Sequence, residues 1–228
     1  MLLLGLVAAA SLPGIVEIPA GEHRPFYPPS PELTMLEVEA FRMDARPVTN
    51  AQFLAFLERD PSWQTPPRIL ADERYLQSIH AADPQAPVTD VSWHAARAYC
   101  QERGGDLPTV TQWEYAGDLG NPEVQELILA WYAERGPPGP VAQREPNRYG
   151  LYDMHGLVWE WTLDYNSQLI AGDAREAGDA DRLRFCGAGA LDATDPEDYA
   201  SFMRFAYRSS LSANATTKNL GFRCAYSP

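Results

Sequence analysis

The chain has 228 residues, 45% of them apolar and 11% aromatic, which suits one large domain or two small ones and supplies ample material for a packed core. Its 18 basic and 31 acidic side chains leave a net charge of −13, and no basic block of five or more occurs. That balance argues against nucleic acid and anionic membrane surfaces as partners, because they would repel the chain.

In chain order, residues 1–10, MLLLGLVAAA, are an apolar run ending in small residues before Ser11. The run is too short to span a bilayer as a helix and reads as the apolar region and cleavage site of an export leader. The usual Lys or Arg before it is missing, so a start further upstream and a buried strand or helix end stay open. From Gly14 to Asp44 apolar and polar residues alternate on either side of the loop PFYPPSPE, which predicts an opening strand pair.

Thr49 is expected to start a helix with Phe53, Leu54 and Leu57 on one face, and a short helix is expected around ADERYLQSI. In VTDVSWHAARAYCQERGG the positions Trp93, Ala96, Ala98, Tyr99 and Cys100 fit an amphipathic helix that Gly104 and Gly105 stop. Thr109 with Gln112 forms a capping-box signature, and Asn121-Pro122 opens a helix running through Trp131. GPPGPVAQREPN reads as loop. In the last third, RLRFCGAGAL, SFMRFAYRSSL and LGFRCAY read as short strands of a mixed or antiparallel sheet. No internal repeat or long linker appears, so residues 11–228 are expected to form one α+β domain after a leader at 1–10.

Six ordered segments, FRMDARPVTNAQFLAFL, PVTDVSWHAARAYC, LPTVTQWEYA, NRYGLYDMHGLVWEW, FMRFAYRSS and NLGFRCA, together resemble the formylglycine-generating enzyme (sulfatase-modifying factor) family. The resemblance runs from about Ile15 to the C-terminus, and six motifs in order are far more specific than one. It implies a variant of the C-type lectin fold, with little regular secondary structure around a small twisted sheet. It also implies that Leu151 to Trp161 mostly builds core, so Trp113, Tyr115, Trp159 and Trp161 are expected to be structural aromatics. Cys100 and Cys224 match the positions of a structural disulfide in the family, which agrees with an exported, periplasmic or extracellular location.

The family oxidises a substrate cysteine with oxygen and copper(I) held by two thiolates, soft ligands suited to that ion. The resemblance places them just before the Arg-x-Ala-x-Arg-Ser segment, here Arg204 to Ser209. This chain instead reads Asp195-Pro-Glu-Asp-Tyr-Ala200, without a cysteine. Standard formylglycine-generating activity is therefore expected to be absent, and no catalytic residue is assigned. A family calcium site is weakened in the same way. Leu157 stands where the pattern has an Asn oxygen, leaving Glu160 as the residual ligand of a cation that wants six or more oxygens.

The third cysteine, Cys186, reads either as a small buried hydrophobe or as a copper ligand with His155 and Met203, or Met154, brought near by the fold. His94 is expected to be structural, and His23 and His80 fall in polar loops without a functional signal. No HExxH, GxSxG or phosphate-loop motif is present. The leading expectation is an accessory or binding protein that receives a protein or peptide partner in the former substrate cleft, rimmed by Asp195, Arg204, Tyr207 and Arg208. The alternatives are a copper protein using Cys186 and a cysteine oxidase with a relocated site. In the cleft, the arginines could instead satisfy neighbouring acids as a buried ion network.

Overall fold

The computed structural model describes residues 14–26, 33–119, 121–133, 136–166 and 199–228. The leader run, Cys186, Asp195 and the RFCGAGAL segment lie outside them.

The opening alternation folds as nested hairpins. β1 (Ile15–Ile18) pairs antiparallel with β4 (Phe41–Asp44), Ile18 opposite Phe41, and between them β2 (Gly21–His23) pairs with β3 (Leu36–Val38). Ile18, Phe41 and Met43 turn inward while Arg42 stays out, the period-two pattern of a half-buried sheet. β7 (Ala225–Tyr226) joins the other edge of β4, so the chain end closes a three-stranded sheet in the order β1-β4-β7. A separate parallel pair, β5 (Trp159–Glu160) with β6 (Leu220–Gly221), holds the tryptophan-rich segment against the C-terminal strands.

Helix α1 (Asn50–Arg59) starts as expected at Thr49, with a complete capping box to Gln52. Its inward face is Phe53, Phe56 and Leu57, with Leu54 only half-buried beside them. Helix α2 (Trp93–Glu102) begins at the Ser92 cap and buries Ala95, Ala96, Tyr99 and Cys100, while Trp93 and Ala98 sit at the margin of the core. It ends at Gly104, whose φ of +76° favours glycine. Thr109 and Gln112 cap α3 (Val110–Ala116), and α4 (Pro122–Ala133) follows.

Two expectations are overturned. ADERYLQSI forms successive turns rather than a helix, because Leu76 takes a left-handed φ of +57° and donates its N–H to the Asp90 carbonyl. SFMRFAYRSSL is not a strand: Tyr199–Ser209 is helix α5. Its buried positions, Ala200, Ser201, Arg204, Phe205 and Arg208, recur every four residues, but two of them are arginines and one a serine. An apolar stripe is therefore missing from the sequence although a buried one exists in the structure.

The main core packs α1 and α2 against Val88, Leu107, Trp161, Leu220 and Phe222, and the Cys100–Cys224 disulfide lies inside it. A second cluster joins the strands to Trp113, Tyr115, Leu151 and Met154. Among the described residues no helix is long and apolar enough to cross a membrane.

Candidate functional site

The site forms where α3, α5 and the segment before β5 meet. Helix α3 contributes Trp113 and Glu114, which its capping box orients by fixing the first turn. Helix α5 contributes Arg204, Tyr207 and Arg208, one turn apart. The segment before β5 brings His155, β5 itself brings Trp159, and α4 adds Trp131. All of these except Glu114 line a cavity of about 30 Å³, walled mostly by apolar and aromatic surface.

At its floor is an ion cluster. Glu114 is buried and accepts from Arg204 through Oε1 and from His23 Nε2 at 2.9 Å through Oε2, with Arg208 Nη1 4.0 Å from Oε1. Burial by itself would raise the Glu114 carboxyl. Arg204 first, then the His23 hydrogen bond and Arg208, outweigh it and hold the group down to about 2. Arg208 shows the converse: burial, reinforced by the like charge of Arg204, pushes its guanidinium down to about 10 despite Glu114 and Asp164. Among the described residues, Arg204 Nε and both Nε and Nη1 of Arg208 are buried without a hydrogen-bond partner.

Above the cluster the aromatics are ordered by stacking. Tyr207 lies on Trp159 with ring centres 4.6 Å apart and planes 25° apart, and its hydroxyl is 2.8 Å from Thr217 Oγ1. Trp131 packs on the Trp159 ring at 5.2 Å, and Arg204 sits 5.0 Å from the Trp113 ring centre in a cation–π contact. On the far side of Glu114 a polar recess of about 410 Å³ is lined by His23, Arg148, Asp118 and Ser201.

His155 meets the Trp113 ring edge-on and donates from Nε2 to the Gly117 carbonyl at 2.7 Å. A side chain at position 117 would crowd that imidazole. Burial drives the His155 pKa down to about 4, so the ring is neutral at pH 7. Its folded pKa lies below the unfolded value near 6.5, so the unfolded state takes up the proton first and stability is lost as pH falls from about 6.5 to 4. Thermal midpoints measured across that window are expected to fall with pH in the wild type and to fall less in His155→Gln, which keeps a donor for Gly117. Equal slopes in the two proteins would remove His155 as a source of this dependence.

Glu160, the residual calcium ligand of the sequence reading, has other partners here. Arg223 reaches its two oxygens at 2.8 Å each, Trp113 Nε1 donates to Oε2 at 2.8 Å, and both side chains of the ion pair are fully buried. Arg223 also donates to the carbonyls of Tyr152 and Asp44, tying β4, β5 and the intervening loop together. Among the described residues no group of three or more His, Cys, Asp or Glu side chains is arranged to hold a metal ion. The copper(I) implied by the resemblance does not fit either: the stretch from Asp195 to Ala200, where two thiolates are needed, contains no cysteine, and its described end, Ala200 on α5, offers only a buried methyl group.

The structure thus brings Arg204, Tyr207, Arg208 and His155 to one cavity. Met154 lines it, and Met203 lies on α5 outside its wall. Trp113, Tyr115 and Trp161 are core, as expected, whereas Trp159 is only half-buried and forms the cavity wall. Sequence reasoning missed His23, placed in a polar loop but in fact buried on β2 beside Glu114. It missed Glu114 as well. The available signal was an acid within the buried stretch Trp113 to Ala116 of a short capped helix.

The family description "Sulfatase-modifying factor enzyme 1-like domain" matches residues 6–228. The chain is 31% identical over 254 residues to a Mus musculus protein named Inactive C-alpha-formylglycine-generating enzyme 2, covering 87% of this chain and 78% of that one. It is 32% identical over 169 residues to the Bos taurus Formylglycine-generating enzyme, across 62% of this chain but 44% of the relative, so it spans less than half that protein's length. Among solved structures, PvdO from Pseudomonas aeruginosa superposes with a TM-score of 0.55 at 19% identity, with 94% of each chain covered. CarF does so with a TM-score of 0.51 at 16% identity, covering 96% of this chain and all of that one. At such identities the structural likenesses speak to fold alone. Matched over residues 6–228, and 31% to 32% identical across the aligned stretches to a formylglycine-generating enzyme and to a relative named inactive, the chain belongs to the sulfatase-modifying factor family.

Proposed function

We propose that this protein is a catalytically divergent, exported family member that acts as an accessory or binding protein, receiving a protein or peptide in the aromatic cavity above Arg204 and Arg208. One observation carries the reading. The helix that follows the expected copper-ligand segment presents an arginine pair with Tyr207 to the cavity, and residues 195–209 contain no thiol. Carboxylates and methyl groups cannot replace a bis-thiolate copper(I) site. The name of the mouse relative, which includes the word inactive, supports the same direction. The short sheets and long connecting loops among the described residues are what the family's C-type lectin variant would show, residues 11–228 forming one domain, and the buried disulfide suits an oxidising compartment.

The test is oxygen uptake with copper(I) and a cysteine-containing peptide. Uptake is expected to equal that of the same mixture without protein. Protein-dependent uptake with conversion of the peptide thiol to an aldehyde would contradict the reading and favour a cysteine oxidase with a relocated site. A second reading, copper binding at Cys186, rests on the Cys100–Cys224 bridge, which leaves Cys186 as the odd one of three cysteines.

A further inference from the structure

The cavity floor has more buried cationic donors than the described residues satisfy. Arg204 and Arg208 converge on one carboxylate, Glu114, which His23 also engages. Three guanidinium nitrogens, Arg204 Nε and Arg208 Nε and Nη1, are buried and unpartnered among the described residues, and both arginines line the cavity. Of the other nearby acids, Glu160 is held by Arg223 and Trp113, and Asp164, whose Oδ1 accepts from the Val110 N–H at 2.7 Å, acts on Arg208 only through its charge. Buried polar groups almost always find a partner, and an arginine held rigidly with open donors matches the geometry of a carboxylate.

We propose that Arg204 and Arg208 form a carboxylate-binding site at the floor of the aromatic cavity, where an acidic group of the ligand is seated. The inference rests on the binding role proposed above and names the chemistry that role recognises. Composition supports it, because the walls of Trp131, Trp159 and Tyr207 suit an apolar or aromatic stem carrying that acidic group. An apolar wall also keeps water from competing for the donors.

The test titrates acetate, and separately its neutral isostere acetamide, into the intact protein at fixed ionic strength, following tryptophan fluorescence. Trp113, Trp131, Trp159 and Trp161 all line the cavity and report on it. Saturable acetate binding is expected, at least tenfold tighter than acetamide, and weakened at least tenfold in Arg208→Gln. The comparison of acetate with acetamide on the wild type needs no variant, so it holds even if Arg208→Gln fails to fold. Equal binding of the two probes would overturn the carboxylate assignment while leaving the cavity a binding site. No saturable response to either would overturn both readings.

Discussion

Replacing Cys100 and Cys224 together by alanine is expected to lower the unfolding free energy by about 4 to 5 kcal/mol. The bridge joins residues 124 apart in sequence, and in the chain-entropy treatment a loop of that length restricts the unfolded ensemble strongly. It also sits where its loss is felt in packing. Cys100 closes the inward face of α2, Cys224 lies between β6 and β7, and both are enclosed by the core that contains Phe53, Tyr99 and Phe222. Chemical denaturation of the double variant measures the drop. A reductant strong enough to open the bridge should destabilise the wild type and leave the variant unmoved. A loss below about 1 kcal/mol would mean that the bridge adds little to a core already complete without it.

Glu160→Gln is expected to cost about 3 to 5 kcal/mol, because it leaves the Arg223 guanidinium buried without its charge partner. The pair is a junction between early and late parts of the chain. Arg223 donates to Glu160 on β5, to the Tyr152 carbonyl in the preceding loop and to the Asp44 carbonyl at the end of β4, while Trp113 of α3 donates to the same carboxylate. Removing both charges with Glu160→Gln and Arg223→Met should cost clearly less than the two single changes summed, since no isolated ion is then left in the core. Additive losses would show that the two side chains act independently. A rise in the wild-type thermal midpoint on adding calcium, abolished by Glu160→Gln, would instead return Glu160 to the role of a cation ligand.

Those two sites also show what could and could not be read from the residues. The starts at Thr49 and at Thr109 with Gln112 were legible because a capping residue carries its signal within four residues, while the Ser92 cap of α2 was passed over in favour of its apolar face. The nested hairpin was legible in part: its alternation predicts strands, but the registers β1 to β4 and β2 to β3 depend on the long excursion between them. The disulfide was reached through the family resemblance, since three cysteines alone allow three pairings. Helix α5 was misread because the stripe it buries is built from Ser201, Arg204 and Arg208 as well as Ala200 and Phe205, so hydrophobicity does not mark its face.

The candidate site was legible on one side only. Arg204, Tyr207 and Arg208 stood out through the motif they occupy, whereas His155 was singled out only as a candidate copper ligand beside Cys186. Their partner Glu114 is 90 residues from Arg204 and 91 from His23 in sequence, and no local pattern connects them. Burying an arginine on α5 makes sense only once α3 has delivered a carboxylate to face it.

The most direct measurement is a thiol count combined with copper(I) titration on protein from an exporting host. With Cys100 and Cys224 bridged, one reactive thiol per chain is expected, lost in Cys186→Ser, and copper(I) added to the wild type should be removed completely by desalting. Retention of one copper(I) per chain, abolished by Cys186→Ser, would contradict the account and make this protein a copper site built around its third cysteine.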